Sequence, residues 1–199
     1  MSGNGDSTLR TAISLLLDEA APALASARAE LDPAGAARVP LHISVLYPFV
    51  PRSEVTPELI ARLHEVFRPR RSLSFSLSRV AAFPGIAVYA APTPDEQLVS
   101  LIHDVAAIFP ETPPYGGAFA EPVPHATLCP LPVDGDEAAV LGFVRARIEP
   151  LLPIACRLDA ISLLEEYEPD RWRELERLPF RSDGATSAPE HIPKLSRWP

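Results

Sequence analysis

An α+β fold with an internal duplication is predicted for this chain, on three observations. Short strand-like runs, some closing as β-hairpins, recur among helix-like runs along its 199 residues, and hairpin-linked strands suit small antiparallel sheets. Its 24 prolines fall between those runs as punctuation, which fits many short elements. The two halves also share a plan. In each, a strand opening with His-x-Ser or His-x-Thr is followed by a helix and then a β-hairpin. His42 lies 30 residues before Ser72, and His125 lies 29 before Ile154, so a two-fold repeat is the economical reading. The expected architecture is one bilobal domain over residues 1–181, with one lobe carrying His42 and the other His125. Two small antiparallel sheets with outer helices would face each other across a central cleft. Residues 182–199, with three prolines and no periodicity, are expected to form an extended or partly disordered tail.

The elements follow in order. Thr11–Leu17 is apolar and β-rich, a strand, and Asp18–Glu30 is alanine-rich, a helix. His42–Phe49 is a strand between Pro40 and Pro51. Pro57–Phe67 is a helix, with Thr56 as its N-cap and Pro57 at the first helical position. Leu73, Phe75 and Leu77 alternate with serines, giving a half-buried strand over Ser72–Ala82. Ile86–Ala90 pairs with it across Pro84-Gly85. Leu98, Leu101, Ile102, Val105 and Ile108 have helical spacing, so Asp95–Phe109 is a helix. Pro110–Pro124 is a Pro- and Gly-rich loop. His125–Leu131 is a strand, Asp136–Ile148 a helix, Ile154–Glu165 a strand, and Trp172–Arg181 its hairpin partner.

Composition excludes several classes. Hydrophobic residues are 47% and charged residues 22% of the chain, as in an ordinary globular protein. No run approaches the ~20 apolar residues of a membrane helix. The N-terminal MSGNGDSTLR lacks a basic-then-apolar signal layout, and a soluble, cytoplasmic monomer is expected. Cys129 and Cys156 are too few for a disulfide framework or a zinc site of their own. The net charge of −8 is concentrated: between Val80 and Val144 there are eight acids and no Lys or Arg. Binding to duplex DNA or an anionic membrane depends on a basic face, and none is evident.

The chemistry is predicted at the two strand openings. Side chains at i and i+2 of a strand share a face, so His42 projects with Ser44, and His125 with Thr127. Ile43, Val45, Ala126 and Leu128 point the other way. A pseudo-two-fold axis would bring both pairs to one spot. Two imidazoles provide acid and base near neutral pH, and two hydroxyls provide donors for an oxyanion. A phosphodiester suits that set. No G-x-S-x-G, G-x-x-x-x-G-K-[ST] or H-E-x-x-H motif occurs, so the corresponding hydrolase, P-loop and zincin chemistries lack their signatures.

The tetrapeptides His42-Ile43-Ser44-Val45 and His125-Ala126-Thr127-Leu128, 83 residues apart, resemble the two H-x-[ST]-hydrophobic motifs of the 2H (two-histidine) phosphoesterase superfamily. Their context is similar to that of bacterial proteins of the 2′-5′ RNA ligase family, and the resemblance spans about Thr11 to Arg181. It implies a hydrolase with no metal or other cofactor. The substrates would be 2′,3′-cyclic phosphodiesters of RNA ends or small nucleotides, with reverse ligation in vitro. It further implies His42 as acid to the leaving oxygen, His125 as base to water, and Ser44 and Thr127 as phosphate ligands. The sequence leaves open which imidazole takes which part. Family members often carry basic residues after the second motif, whereas here Cys129-Pro130-Leu131-Pro132 follows, which points away from long RNA. A binding module that keeps the cleft without turnover is the alternative.

Other residues receive plainer readings. Tyr115, before Gly116-Gly117, is a candidate substrate-binding residue on a loop, or part of a simple turn. Tyr47, by alternation from His42, is assigned to core packing, and Cys129 is read as a small buried thiol. His64, His103 and His191 lack a companion hydroxyl and are read as surface or boundary residues. Arg68-Pro69-Arg70-Arg71 is read as a solvated helix end.

Overall fold

The structure, a computed structural model, describes residues 9–119, 121–131 and 135–181. Its strands are β1 (Thr11–Leu16), β2 (His42–Leu46), β3 (Leu73–Phe83), β4 (Ala87–Thr93), β5 (Ala126–Pro130), β6 (Ile154–Leu158), β7 (Ala160–Glu168) and β8 (Arg171–Pro179). Its helices are α1 (Pro22–Leu31), α2 (Pro33–Ala36), α3 (Pro57–Phe67), α4 (Glu96–Ile108) and α5 (Glu137–Ile148). The α+β class is as expected. The strands form one eight-stranded antiparallel sheet, in the order β6-β3-β4-β5-β2-β1-β7-β8, where the sequence suggested two separate sheets. The β5–β2 pair lies at the centre of this order, with three strands on either side.

The largest departure is at Ile154–Glu165, expected as one strand. It is two: β6 pairs with β3 at one edge of the sheet, while β7 pairs with β1 and β8 near the other. Only Asp159 separates them, so the sheet must curl until its ends approach. A bridge between Arg71 and Arg181 also links the two ends. Smaller differences have local causes. Helix α1 begins at Pro22, where proline's fixed φ starts a helix, after a turn in which the Ala21 N–H donates to the Leu17 carbonyl at 2.7 Å. β2 ends at Leu46, and a 3-10 turn, Pro114–Gly117, occupies the expected loop.

Capping explains why α3 matches its prediction: Thr56 Oγ1 accepts from the Leu59 N–H and Pro57 is the first helical residue. Asp136 caps α5 through the Ala139 N–H. The core lies between sheet and helices. It takes Ile13, Leu15, Ile43, Val45, Ala126 and Leu128 from the central strands, Leu63 and Phe67 from α3, and Leu98, Leu101 and Val105 from α4. Phe49 and Phe109 meet edge to face at 5.1 Å. The expected tail, 182–199, lies outside the described residues, as does His191.

Candidate functional site

The site is built on the β2–β5 pair. Ile43 faces Ala126 in an antiparallel register, which sets His42 opposite Thr127 and Ser44 opposite His125. All four side chains therefore share one sheet face, and all are half-buried, whereas Ile43, Val45, Ala126 and Leu128 are buried behind them. The two imidazoles stand on a diagonal, a placement that spans roughly 7–8 Å between backbones. The sequence-predicted quartet is thus brought together.

Both imidazoles are held alike. His42 Nδ1 lies 2.8 Å from the Pro40 carbonyl and His125 Nδ1 lies 2.7 Å from the Val123 carbonyl, each two residues upstream. A carbonyl only accepts, so each Nδ1 carries a hydrogen and donates it. Each Nε2 remains for chemistry. The surroundings of the two rings differ. His125 packs edge-on against Phe83 (4.9 Å) and Tyr89 (5.5 Å), which themselves stack at 4.4 Å. Burial lowers its pKa, opposed by the bond to Val123. Burial also lowers the pKa of His42; the Pro40 bond opposes this, and the charges of Arg28 and of His125 add to it.

Arg28 was not singled out from the sequence. It is 5% exposed on α1 and donates from Nη1 to the Val39 carbonyl at 2.8 Å, next to the Pro40 carbonyl that orients His42. Its buried Nε has no hydrogen-bond partner. Desolvation lowers its pKa, opposed by Asp32 and Asp18. A charged residue four positions from buried Leu24 on the same helix face was the available signal.

Tyr115 closes one side. It has a left-handed φ of 52°, as a non-glycine residue in the turn, and its N–H donates to the Tyr47 carbonyl at 2.6 Å. Burial raises the pKa of its hydroxyl, and a hydrogen bond with Ser44 opposes that rise. Ser44, Tyr115 and His125 line a cavity of about 350 Å³ whose other walls include Phe83, Ile102 and Phe119. His42 and Thr127 stand on the same sheet face beside it.

One plain reading needs revision. Tyr47 is not a core residue. β2 ends before it, so alternation no longer applies, and it is half-buried beside Tyr115 and Trp172, accepting from Arg10 Nη1 at 2.6 Å. His103 lines the cavity, 3.8 Å from Glu121, while His64 contacts Glu176 at 2.9 Å. Cys129 is buried opposite Val88, as expected of a structural thiol. Arg70 of the basic run pairs with Asp104 at 3.0 Å. Among the described residues, no group of three His, Cys, Asp or Glu side chains is disposed to hold a metal ion.

Residues 16–170 match the family model of the 2′-5′ RNA ligase superfamily. Among solved structures, TT0787 of Thermus thermophilus is similar at 18% identity and a TM-score of 0.59, over 87% of this chain and 99% of that one. E. coli LigT complexed with 3′-AMP is similar at 17% identity and a TM-score of 0.52, over 88% and 100%. E. coli LigT in apo form gives 17% and 0.54, over 87% and 98%. These likenesses concern the fold. No curated protein matches the chain.

Proposed function

The chain belongs to the 2′-5′ RNA ligase superfamily, and from that premise we propose that it is a metal-independent phosphodiesterase. It opens 2′,3′-cyclic phosphodiesters of small nucleotides or RNA ends, and the same site can run the reverse 2′-5′ ligation. The observation that carries this reading is the β2–β5 register. It supports placing two imidazoles and two hydroxyls around one phosphate, with both Nδ1 atoms tied to backbone and both Nε2 atoms left over. Solved complexes of E. coli LigT hold 3′-AMP, ATP and phosphate, in keeping with a small phosphorylated substrate.

In the forward reaction one neutral Nε2 takes a proton from water, the oxygen attacks phosphorus, and the protonated Nε2 opposite returns a proton to the leaving ribose oxygen. Ser44 and Thr127 donate to the non-bridging oxygens, whose charge grows in the transition state. The surroundings support the reverse of the roles carried over from the family. The charge of Arg28 disfavours a proton on His42 and is not among the causes acting on His125. His42 is then the base and His125 the acid.

The test is hydrolysis of 2′,3′-cyclic AMP in excess EDTA by the wild type, His42→Ala and His125→Ala. Each substitution should lower turnover by about 10²–10⁴-fold, the usual worth of a general acid or base. Full activity in either variant refutes the reading, and saturable binding without any product would instead point to a binding module.

A further inference from the structure

The cavity beside Ser44 and His125 is too large and too apolar to be accounted for by the phosphate alone. Its volume, about 350 Å³, is at the lower end of small-ligand pockets. Its walls are apolar: Phe83, Ile86, Ile102, Phe119 and Val123, with prolines between them. Three of these are exposed, Ile86 by 60%, Phe119 by 62% and Val123 by 49%. An exposed apolar rim on a pocket is one mark of a ligand-binding groove.

Charge narrows the occupant. Apart from Ser44 and Val45, every lining residue falls between Val80 and Val144, the stretch without a single Lys or Arg. The lining's one carboxylate is Glu121, near His103. A second phosphate there would meet apolar walls and a like charge, with no Lys or Arg in the lining to offset its desolvation. Tyr115 marks the boundary, with its hydroxyl on Ser44 and its ring edge-on to Phe119 at 5.7 Å.

We infer that this cavity binds an uncharged, apolar arm of the substrate. The preferred class is then a small phosphodiester with one charged phosphate and an aryl- or alkyl-bearing arm, in place of a phosphate-extended nucleotide or an RNA strand. This rests on the phosphodiesterase reading above.

The experiment uses three compounds that differ at one position: uridine 2′,3′-cyclic phosphate, its 5′-O-benzyl ether and its 5′-phosphate. With the full chain, kcat/KM for the benzyl ether should exceed that of the parent by about tenfold or more, the scale of apolar discrimination in a hydrophobic pocket. The 5′-phosphate should fall below the parent by at least about fivefold, the worth of one close like-charge contact in water. Ile86→Lys and Phe119→Lys, both at exposed positions, should each shrink the benzyl-to-phosphate ratio by at least about fivefold. Three compounds turned over within about twofold of one another, or a preference for the 5′-phosphate, would overturn the inference and leave the phosphodiesterase reading standing. If none turns over, that reading fails, and calorimetric titration of the same compounds decides the inference. The same order of affinity supports it, and equal, reversed or absent binding overturns it.

Discussion

Glu166→Gln tests the cluster that backs the site at Tyr47. Glu166 is 5% exposed in its side chain. It accepts from the Arg10 backbone N–H at 3.1 Å, from Arg10 Nε at 2.8 Å and Nη2 at 2.7 Å, and from the Asp170 N–H at 2.6 Å. The Arg10 hydrogen bond is the main reason its pKa falls from 4.5 to about 2, against desolvation. At 1.36 kcal/mol per unit, a shift of that size corresponds to about 3 kcal/mol of stability. This is an upper figure, because Arg10 keeps 40% of its side chain in water and solvent screens the pair. The sign follows from the depressed value. The unfolded chain protonates first as pH falls, so the contribution is complete above the unfolded value of 4.5 and drains away toward 2. About 2 of the 3 kcal/mol should be gone at pH 3. The assay is urea unfolding of wild type and Glu166→Gln at pH 7 and pH 3. The gap between them should be wide at pH 7 and much narrower at pH 3. An equal gap at both pH values would refute the assignment of the shift to this carboxylate.

Two further outcomes concern the site. Both histidine pKa values are lowered, chiefly by burial, so the acid loses its proton before the ordinary histidine value of about 6.5. The pH profile of kcat/KM for 2′,3′-cyclic AMP should therefore peak on the acid side of that value and decline through pH 7.5; a profile still rising there contradicts it. Ser44→Ala and Thr127→Val each remove one hydroxyl from the β2–β5 face, and kcat should drop by about 10²-fold, as when an oxyanion donor is lost. Losses under threefold in both would remove the hydroxyls from the mechanism.

Local chemistry was legible and long-range closure was not. Thr56-Pro57 wrote the start of α3 into four residues, and the serine alternation marked β3 to within a residue at either end. The β6–β7 break has a signature in the sequence. Apolar positions run even through Ile154, Cys156 and Leu158, then odd through Ile161 and Leu163, and a strand cannot change faces without a bulge or an end. Even with that slip recognised, alternation specifies which face a residue takes and says nothing of which strand lies beside it. The merging of two expected sheets into one depends on a pairing between Ile43 and Ala126, 83 residues apart.

The same limit governs the site. A His-x-Ser or His-x-Thr strand opening is visible because i and i+2 share a face, and its two copies are held alike, down to the Nδ1 bond with a carbonyl two residues upstream. Acid–base catalysis by such a pair needs inequivalent members, since two neutral imidazoles offer no acid and two protonated ones no base. The inequivalence comes from what surrounds each motif strand. Arg28, on the helix that precedes β2, adds positive charge to the surroundings of His42 and is not among the causes acting on His125. Phe83 and Tyr89, from the hairpin beside β5, give His125 an aromatic wall. On the proposed mechanism the two motif strands supply the reacting groups and their differing neighbours assign the roles. This is why the pair could be identified from its motifs while its division of labour needed the fold.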